Sequence, residues 1–291
     1  MLLARDHPHG LMVAKSRSAA WQRVTRGAYV SSGSADGRTA RALATISGVH
    51  ARLVAPHWFS HESAALLWGL PVWRTPRVTH VRQAVRAGAR RDRALVRHSG
   101  IADERHLTVV GDLPVTDLEL TMVDCARSLA PLAGLVVADA ALRAGADRTV
   151  AIAMLDEMAG RAGVARARAV IELADEGAES AGETATRFVV LQAGLPQPQT
   201  QLRVSTGAGV YWSDLGWEEW KALLEYDGRG KYTSTADLLA EKARQDATAE
   251  AGYRMLRVVS EHLRDRGALV QRVARLLPPD VPRVRRPHLR G

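Results

Sequence analysis

The chain has a single cysteine, Cys125, which excludes internal disulfides and cysteine-built zinc sites. Cys125 falls in an amphipathic helical pattern, where a buried thiol is expected. No apolar run approaches the roughly 18 residues of a membrane-spanning helix, and the opening residues lack the apolar core of a signal peptide. The expectation is a soluble, cytoplasmic protein, nucleoid-associated if it binds DNA. Lysine is scarce too, being confined to Lys15, Lys221, Lys231 and Lys242, so the net charge of +9 rests on arginine. A basic chain suits a polyanionic partner. Its abundance of Ala, Arg, Gly and Val is that of a GC-rich genome, however, which raises arginine everywhere, so charge alone does not decide for nucleic acid. With 291 residues, 46% of them hydrophobic, the length suits two or three domains.

What is present is concentrated in Tyr211 to Tyr232, YWSDLGWEEWKALLEYDGRGKY. Asp214 lies in one short apolar run, and Glu225 and Asp227 close the next. GWEEW reads as a tight connection, so two strands run antiparallel and bring Asp214 beside Glu225. Residues two apart on a strand share a face, which places Asp227 with Glu225. Three carboxylates without a histidine or cysteine are hard oxygen ligands of the kind magnesium or manganese takes.

Along the chain, WQRVTRGAYV predicts a strand, a turn at Gly27 and a second strand. SSGSADG, residues 31–37, is a small polar linker. Arg38 to Leu53 has helical spacing, and Ser60 to Leu70 reads as a helix capped by Ser60 and stopped at Gly69-Leu70-Pro71. Strands are expected at Val78–Val81, Ala94–Arg97 and Thr108–Val110. His57 and His61 are four apart with Glu62 adjacent, but there is no HExxH pattern and the Ser60 cap starts the helix after His57, so a structural role is favoured over a metal. Arg82 to Arg97, with six arginines and one aspartate, reads as a solvated loop or hairpin ahead of a phosphate-contacting patch. Leu135 to Asp175 is helical, with Gly145, Gly160 and Gly177 as helix ends. From Glu179 the order is helix, strands at Gln201–Ser205, Tyr211–Trp217 and Ala222–Tyr226, a helix over Thr235–Ala251, a strand over Tyr253–Val259, and a final helix over Ser260–Leu277 capped by Ser260. Trp212, Trp217 and Trp220 read as core and edge cover ahead of base-stacking platforms.

Two resemblances follow from quoted segments. An opening helical segment and RVTRGAYV resemble the end of the winged-helix module in actinobacterial proteins related to type IV toxin-antitoxin antitoxins (AbiEi-like). HESAALLWGLPVW, VRHSG and GDLPVTDLELTMVDCARSL resemble the middle segment of that family over most of residues 56–145, which implies an interaction or scaffold role. About twenty residues precede Trp21, too few for three full helices, so the DNA-reading helix is expected to be truncated or the true start to lie upstream. GETATRFVVLQAGLPQPQTQ, SDLGW, LLEYDGRGKY, AEKARQDATAEAGYRMLRV and LVQRVARLL resemble a nuclease-like domain related to very-short-patch-repair endonucleases, over roughly residues 176–278. That resemblance implies a restriction-endonuclease-like fold with Asp214 as the first metal carboxylate, Glu225 as the second and Asp227-Gly228 as the acidic-glycine pair. It makes Glu183 the acidic residue of the first helix, and puts Arg244 and Asp246 in the charged helix that follows.

The implied chemistry is phosphodiester hydrolysis with Mg or Mn, held by Asp214 and Glu225 and completed through water by Glu183 or Asp227. Lys231 or Lys242 would orient the water or stabilise transition-state charge. Arg26, Arg229 and Arg244 are the candidate nucleic-acid contacts. The chain departs from the pattern twice: Asp227 stands where classical nucleases of the fold carry lysine, and Gly230-Lys231 where repair-type relatives often carry histidine. The expected fold class is α+β or α/β, with a small winged-helix-like and mixed α/β N-terminal part and a restriction-endonuclease-like core in the order αβββαβα. Expected domains are a partial winged-helix-like segment and linker (1–37), an antitoxin-like mixed α/β and helical domain (38–175), an endonuclease-like domain (176–278) and a basic tail (279–291). The expected function is DNA-associated, with a Mg-dependent endonuclease-like C-terminal domain. The alternative is a catalytically inactive DNA-binding regulator or antitoxin with a toxin or neighbouring-gene partner.

Overall fold

The computed structural model describes residues 1–84, 92, 94–99, 103–228 and 235–290, with the side chains of residues 9 and 235–241 left aside. The chain is a mixed α and β protein with three sheets among these residues. In chain order, β1 (Leu2–Leu3) and α1 (His9–Arg17) precede a hairpin of β2 (Trp21–Thr25) and β3 (Ala28–Ser31). Gly27 turns the hairpin at φ 75°, a conformation that costs little without a Cβ. β1 pairs with β3, and one helix, α1, precedes the hairpin. α2 (Arg38–Arg52) crosses the hairpin and buries Ile46 and Val49.

The second sheet is built from β4 (Trp58–Phe59), then, after α3 (His61–Leu67), β5 (Thr79–Gln83), β6 (Leu95–Ser99), β7 (Leu107–Val110) and β8 (Leu113–Thr116). Its order is β6-β5-β4-β8-β7, with β5 and β6 parallel. Phe59, Val81 and Val115 from three of these strands pack on Ile46 and Val49 of α2. β4 and β8 were not expected; the first is two residues long and the second contains Pro114, so neither has a readable period. The solvated reading of Arg82–Arg97 is corrected at both ends. Arg82 is in β5 and donates to the buried Asp124 carboxylate, and Arg97 is in β6 and donates to Gln83 at 3.1 Å. The rest of that stretch, apart from Gln83, Ala84, Asp92 and Ala94 to Val96, lies outside the described residues.

A helical layer follows: α4 (Leu118–Ser128), α5 (Pro131–Arg143), α6 (Arg148–Glu157), α7 (Val164–Leu173) and α8 (Ala181–Gln192). Met122, Leu135, Leu155, Ile171, Phe188 and Leu191 share one core, in which burial pushes the Cys125 thiol well up. Gly145 and Gly160 follow α5 and α6 with positive φ, whereas α7 already ends at Leu173 and Gly177 instead donates to Asp175 Oδ1 at 3.0 Å. The layer is pinned by an ion pair with no solvent contact to speak of. Arg187 of α8 donates to both Asp139 oxygens of α5 at 2.7 Å and to Leu173 O at 2.6 Å. Thr184 Oγ1 and Asp175 N donate to the same carboxylate at 2.8 and 2.9 Å. α8 starts on a reciprocal cap: Ser180 Oγ accepts from Glu183 N, and Glu183 accepts from Ser180 Oγ at 2.7 Å and Glu179 N at 2.8 Å.

After α8 come β9 (Gln199–Thr206), β10 (Gly209–Trp217), β11 (Ala222–Tyr226), α9 (Thr235–Glu250), β12 (Arg254–Val258) and α10 (Arg266–Ala274), in the expected order of elements. The sheet runs β12-β11-β10-β9, antiparallel from β9 to β11 and parallel between β11 and β12. The final helix is shorter than expected. A 3-10 turn at His262–Arg264 intervenes, and Asp265, not Ser260, accepts from Ala268 N as its cap. α8 lies so close to β11 that a Cβ at Gly182 would sit 2.0 Å from the Tyr226 ring, so only glycine fits. Residues 279–291, expected as a basic tail, fold back in their described part: Val284 N donates to Gly194 O at 2.8 Å, Arg286 to Leu191 O and Leu195 O, and Leu289 is buried in the helical core. Among the described residues no helix is long and apolar enough to cross a membrane.

Asp139→Ala leaves the Arg187 guanidinium buried without its carboxylate, and should cost about 3–5 kcal/mol of unfolding free energy. Asp139→Leu combined with Arg187→Met should cost less than Asp139→Ala; urea unfolding midpoints at fixed m check both. Glu183→Ala breaks the cap of α8 and should cost about 0.5–2 kcal/mol in divalent-free buffer, read from the same unfolding curves.

Candidate functional site

β10 and β11 pair from Leu215↔Leu224 to Trp217↔Ala222, so Asp214 and Glu225 stand one step beyond the paired stretch, side by side. The short Glu218–Lys221 connection makes this so, with Lys221 N donating to Glu218 O at 3.1 Å. Asp214 Oδ2 accepts from Tyr226 N at 2.7 Å, which ties the first carboxylate to the strand that carries the second. Glu225 is nearly buried, and Arg244 of α9 donates to both its oxygens at 2.7 Å, a bidentate fork. Arg244, expected as a nucleic-acid contact, thus sits on Glu225.

The other expected ligands are placed differently. Both Glu183 oxygens serve the cap of α8. Asp227 lies just past β11, with its backbone N–H on Val258 O at 2.8 Å. Asp214, Glu225, Asp227 and Glu183 do not form a group of three whose ligand oxygens lie within 4.8 Å of one another. Lys242 and Asp246 are exposed on α9, and Arg26 is exposed at the turn of the N-terminal hairpin, on a different sheet. Arg229 and Lys231 lie outside the described residues.

The edge around Asp214 has two features that the sequence did not reveal. The β9–β10 ladder pairs Ser213↔Leu202 and Leu215↔Thr200 but skips Asp214, opposite which Gln201 takes φ 46°. A positive φ at a non-glycine residue costs roughly 1–3 kcal/mol and tends to be kept where it serves a site. Trp217 and Trp220 pack in the core as expected, but Trp212 is 58% exposed. It is two residues from Asp214, with the exposed Arg203 as its cross-strand partner.

A second cluster lies in the middle part of the chain. The spacing of His57 and His61 drew attention in the sequence, but the structure separates them: His57 Nε2 bonds to His50 Nδ1 at 3.1 Å. His61 instead stacks on His98 with centroids 3.9 Å apart, and His80 stacks at 5.2 Å from each. His80 Nδ1 meets His98 Nε2 at 2.9 Å. Parallel pairing puts His80 opposite Val96 and Arg82 opposite His98, so the two histidines share a face, and α3 brings His61 onto it. Burial lowers all three, His61 to about 2 and His98 to about 3, with the neighbouring imidazoles and Arg82 adding to burial at these two, so the rings are neutral at pH 7. Asp124 Oδ2 lies 3.4 Å from His61 Nδ1, and Glu62 Oε2 lies 3.9 Å from His80 Nε2. His61 also has φ 54°, a strained value at the first residue of a helix. The only sequence signal was a histidine in each of two short strand segments, THVRQ and LVRHS, and it needs the strand register to be read.

No family model matches the chain, and no solved structure matches it. It is similar to two uncharacterized proteins of Mycobacterium tuberculosis, one in each of two strains, at 32% identity over 160 residues. That stretch is 54% of this chain, and the chain spans 59% of the length of these curated relatives.

Proposed function

We propose that the protein acts on DNA through a restriction-endonuclease-like C-terminal domain, with Asp214 and Glu225 holding Mg or Mn for phosphodiester hydrolysis and the N-terminal half serving as an antitoxin-like scaffold. One observation carries this reading: Asp214 and Glu225 stand side by side on β10 and β11 of a sheet whose αβββαβα order and parallel β11–β12 pair suit that core. The donor set fits a hard cation, being carboxylate oxygen throughout. A bound cation would neutralise the phosphate oxygens and lower the pKa of an attacking water. Trp212 and Arg203, exposed cross-strand partners close to Asp214 along the strand, suit a base and a phosphate of the strand being held.

Arg244 decides when Glu225 is available. Opening a partly buried bidentate pair costs up to about 3–5 kcal/mol, while a millimolar cation site yields about 4 kcal/mol. The two nearly cancel, so the cation alone does not displace the guanidinium. A DNA phosphate is a bidentate acceptor for the same fork; Arg244 moves onto it and releases Glu225 to the cation. Lys242, exposed on the same helix, would take part in proton transfer. The second reading, an inactive DNA-binding regulator or antitoxin with a toxin partner, is favoured by the same observation: Glu225 is saturated by Arg244, and Glu183 by its cap.

The test is incubation with nicked, mismatched, single-stranded and duplex DNA in Mg²⁺ or Mn²⁺. Asp214→Ala and Glu225→Ala should each lower cleavage at least about a hundredfold, and cleavage surviving the double variant would sink the hydrolytic reading. Salt-dependent DNA retention without any cleavage selects the regulator reading. Arg244→Ala should weaken DNA binding, yet tighten Mg²⁺ binding to the free protein by up to about two to three orders of magnitude, since the roughly 3–5 kcal/mol cost of opening the pair is removed; calorimetry with and without a DNA oligonucleotide separates the two effects.

A further inference from the structure

We propose that His61, His80 and His98 form a transition-metal site, selective for Zn²⁺ or Co²⁺ over Mg²⁺ and separate from the carboxylates of the C-terminal sheet. Among the described residues this is the one group of three or more histidine, cysteine or carboxylate side chains whose ligand atoms all lie within 4.8 Å of one another. Three imidazole nitrogens around a borderline-soft cation, with Zn–N near 2.0–2.1 Å, require nitrogens about 3.3 Å apart in a tetrahedral shell. His80 and His98 are already at 2.9 Å, and His61, within 4.8 Å of both, has to close by at most about 1.5 Å to reach the tetrahedral spacing.

The surroundings fit a ligand shell better than they fit a packed core. Burial keeps the rings neutral, so their lone pairs are available without proton release. The Asp124 carboxylate faces Nδ1 of His61 and is itself held by Arg82, so the His61 proton rests on Nδ1 and Nε2 becomes the ligand atom. Ser60 Oγ, 3.0 Å from the same Nδ1, completes the orientation. Glu62 Oε2, 3.9 Å from His80 Nε2, is placed to orient that ring from outside the shell and leaves His80 Nδ1 as its ligand atom, with water in the fourth place. His61 holds a left-handed φ of 54° where its ring stacks on His98, a strained conformation of the kind that is kept at functional sites. His80 and His98 are only partly buried, which gives the ion a route in from solvent.

The experiment uses the full chain without an affinity tag. Titration with Co²⁺ alone should give the strong visible bands of a four-coordinate ion at one equivalent, lost on adding Zn²⁺ and untouched by excess Mg²⁺. His80→Asn combined with His98→Asn should weaken Zn²⁺ binding at least a hundredfold, Glu62→Gln about ten- to a hundredfold, and His50→Ala combined with His57→Ala or Asp214→Ala combined with Glu225→Ala not at all. Should the first double variant not fold, X-ray absorption on the zinc-loaded wild type reads the ligands directly, with three imidazoles expected. The proposal is overturned by a wild type that takes up neither ion, by unchanged affinity in His80→Asn with His98→Asn, or by a shell with fewer than two imidazoles.

Discussion

The Asp139–Arg187 pair is the contact on which the arrangement of the chain depends. Among the described residues Arg187 is the largest fully buried side chain, and a guanidinium taken out of water is tolerated only with its charge matched and most of its donors satisfied. α5 supplies the carboxylate, α7 a terminal carbonyl, and Thr184 and Asp175 the remaining donors to Asp139. The helical layer and the first helix of the C-terminal part therefore share one polar core within an apolar one. Because α8 is held this way at its middle and packed against Tyr226 at its start, the position of β11, and hence of Glu225, is inherited from residues more than forty positions upstream.

The two polar clusters differ in how their charges are balanced. In the C-terminal sheet a carboxylate and a guanidinium neutralise each other, and a ligand has to compete for one of them. Around His61 the imidazoles carry no charge, and the buried carboxylate of Asp124 is matched by Arg82. A cation entering the first cluster displaces an ion pair; one entering the second displaces an imidazole contact. The first therefore suits a response to a polyanion and the second suits retention.

Much of the fold could be read from local signals, because the elements that were read carry their own period. The order from α8 to α10 follows from short apolar runs and glycine or proline stops, and the tight GWEEW turn placed Asp214 beside Glu225. What escaped reading depends on contacts between distant segments. Arg244 and Glu225 are joined only once α9 crosses over the sheet. His80 and His98 belong to strands that pair in parallel, with their connection partly outside the described residues, and a parallel register leaves no mark in either strand. Ser260 looked like a cap, but His262 Nδ1 accepts from Val259 N and holds a 3-10 turn there, so α10 starts later, at Asp265. Trp212 matched the other tryptophans in composition and differs in being exposed, on the part of β10 that runs beyond its pairing with β11.

The return of residues 281–289 across the Gly194 turn has a consequence for how the molecule is assembled. Leu289 fills a core otherwise made of residues from Ala65 to Leu191, and its carbonyl accepts from Gln192, 97 positions earlier. Contacts of such sequence separation form late, since a long loop must close before they yield anything. During synthesis the helical core therefore lacks the contribution of Leu289 until the last residues of the chain have been made.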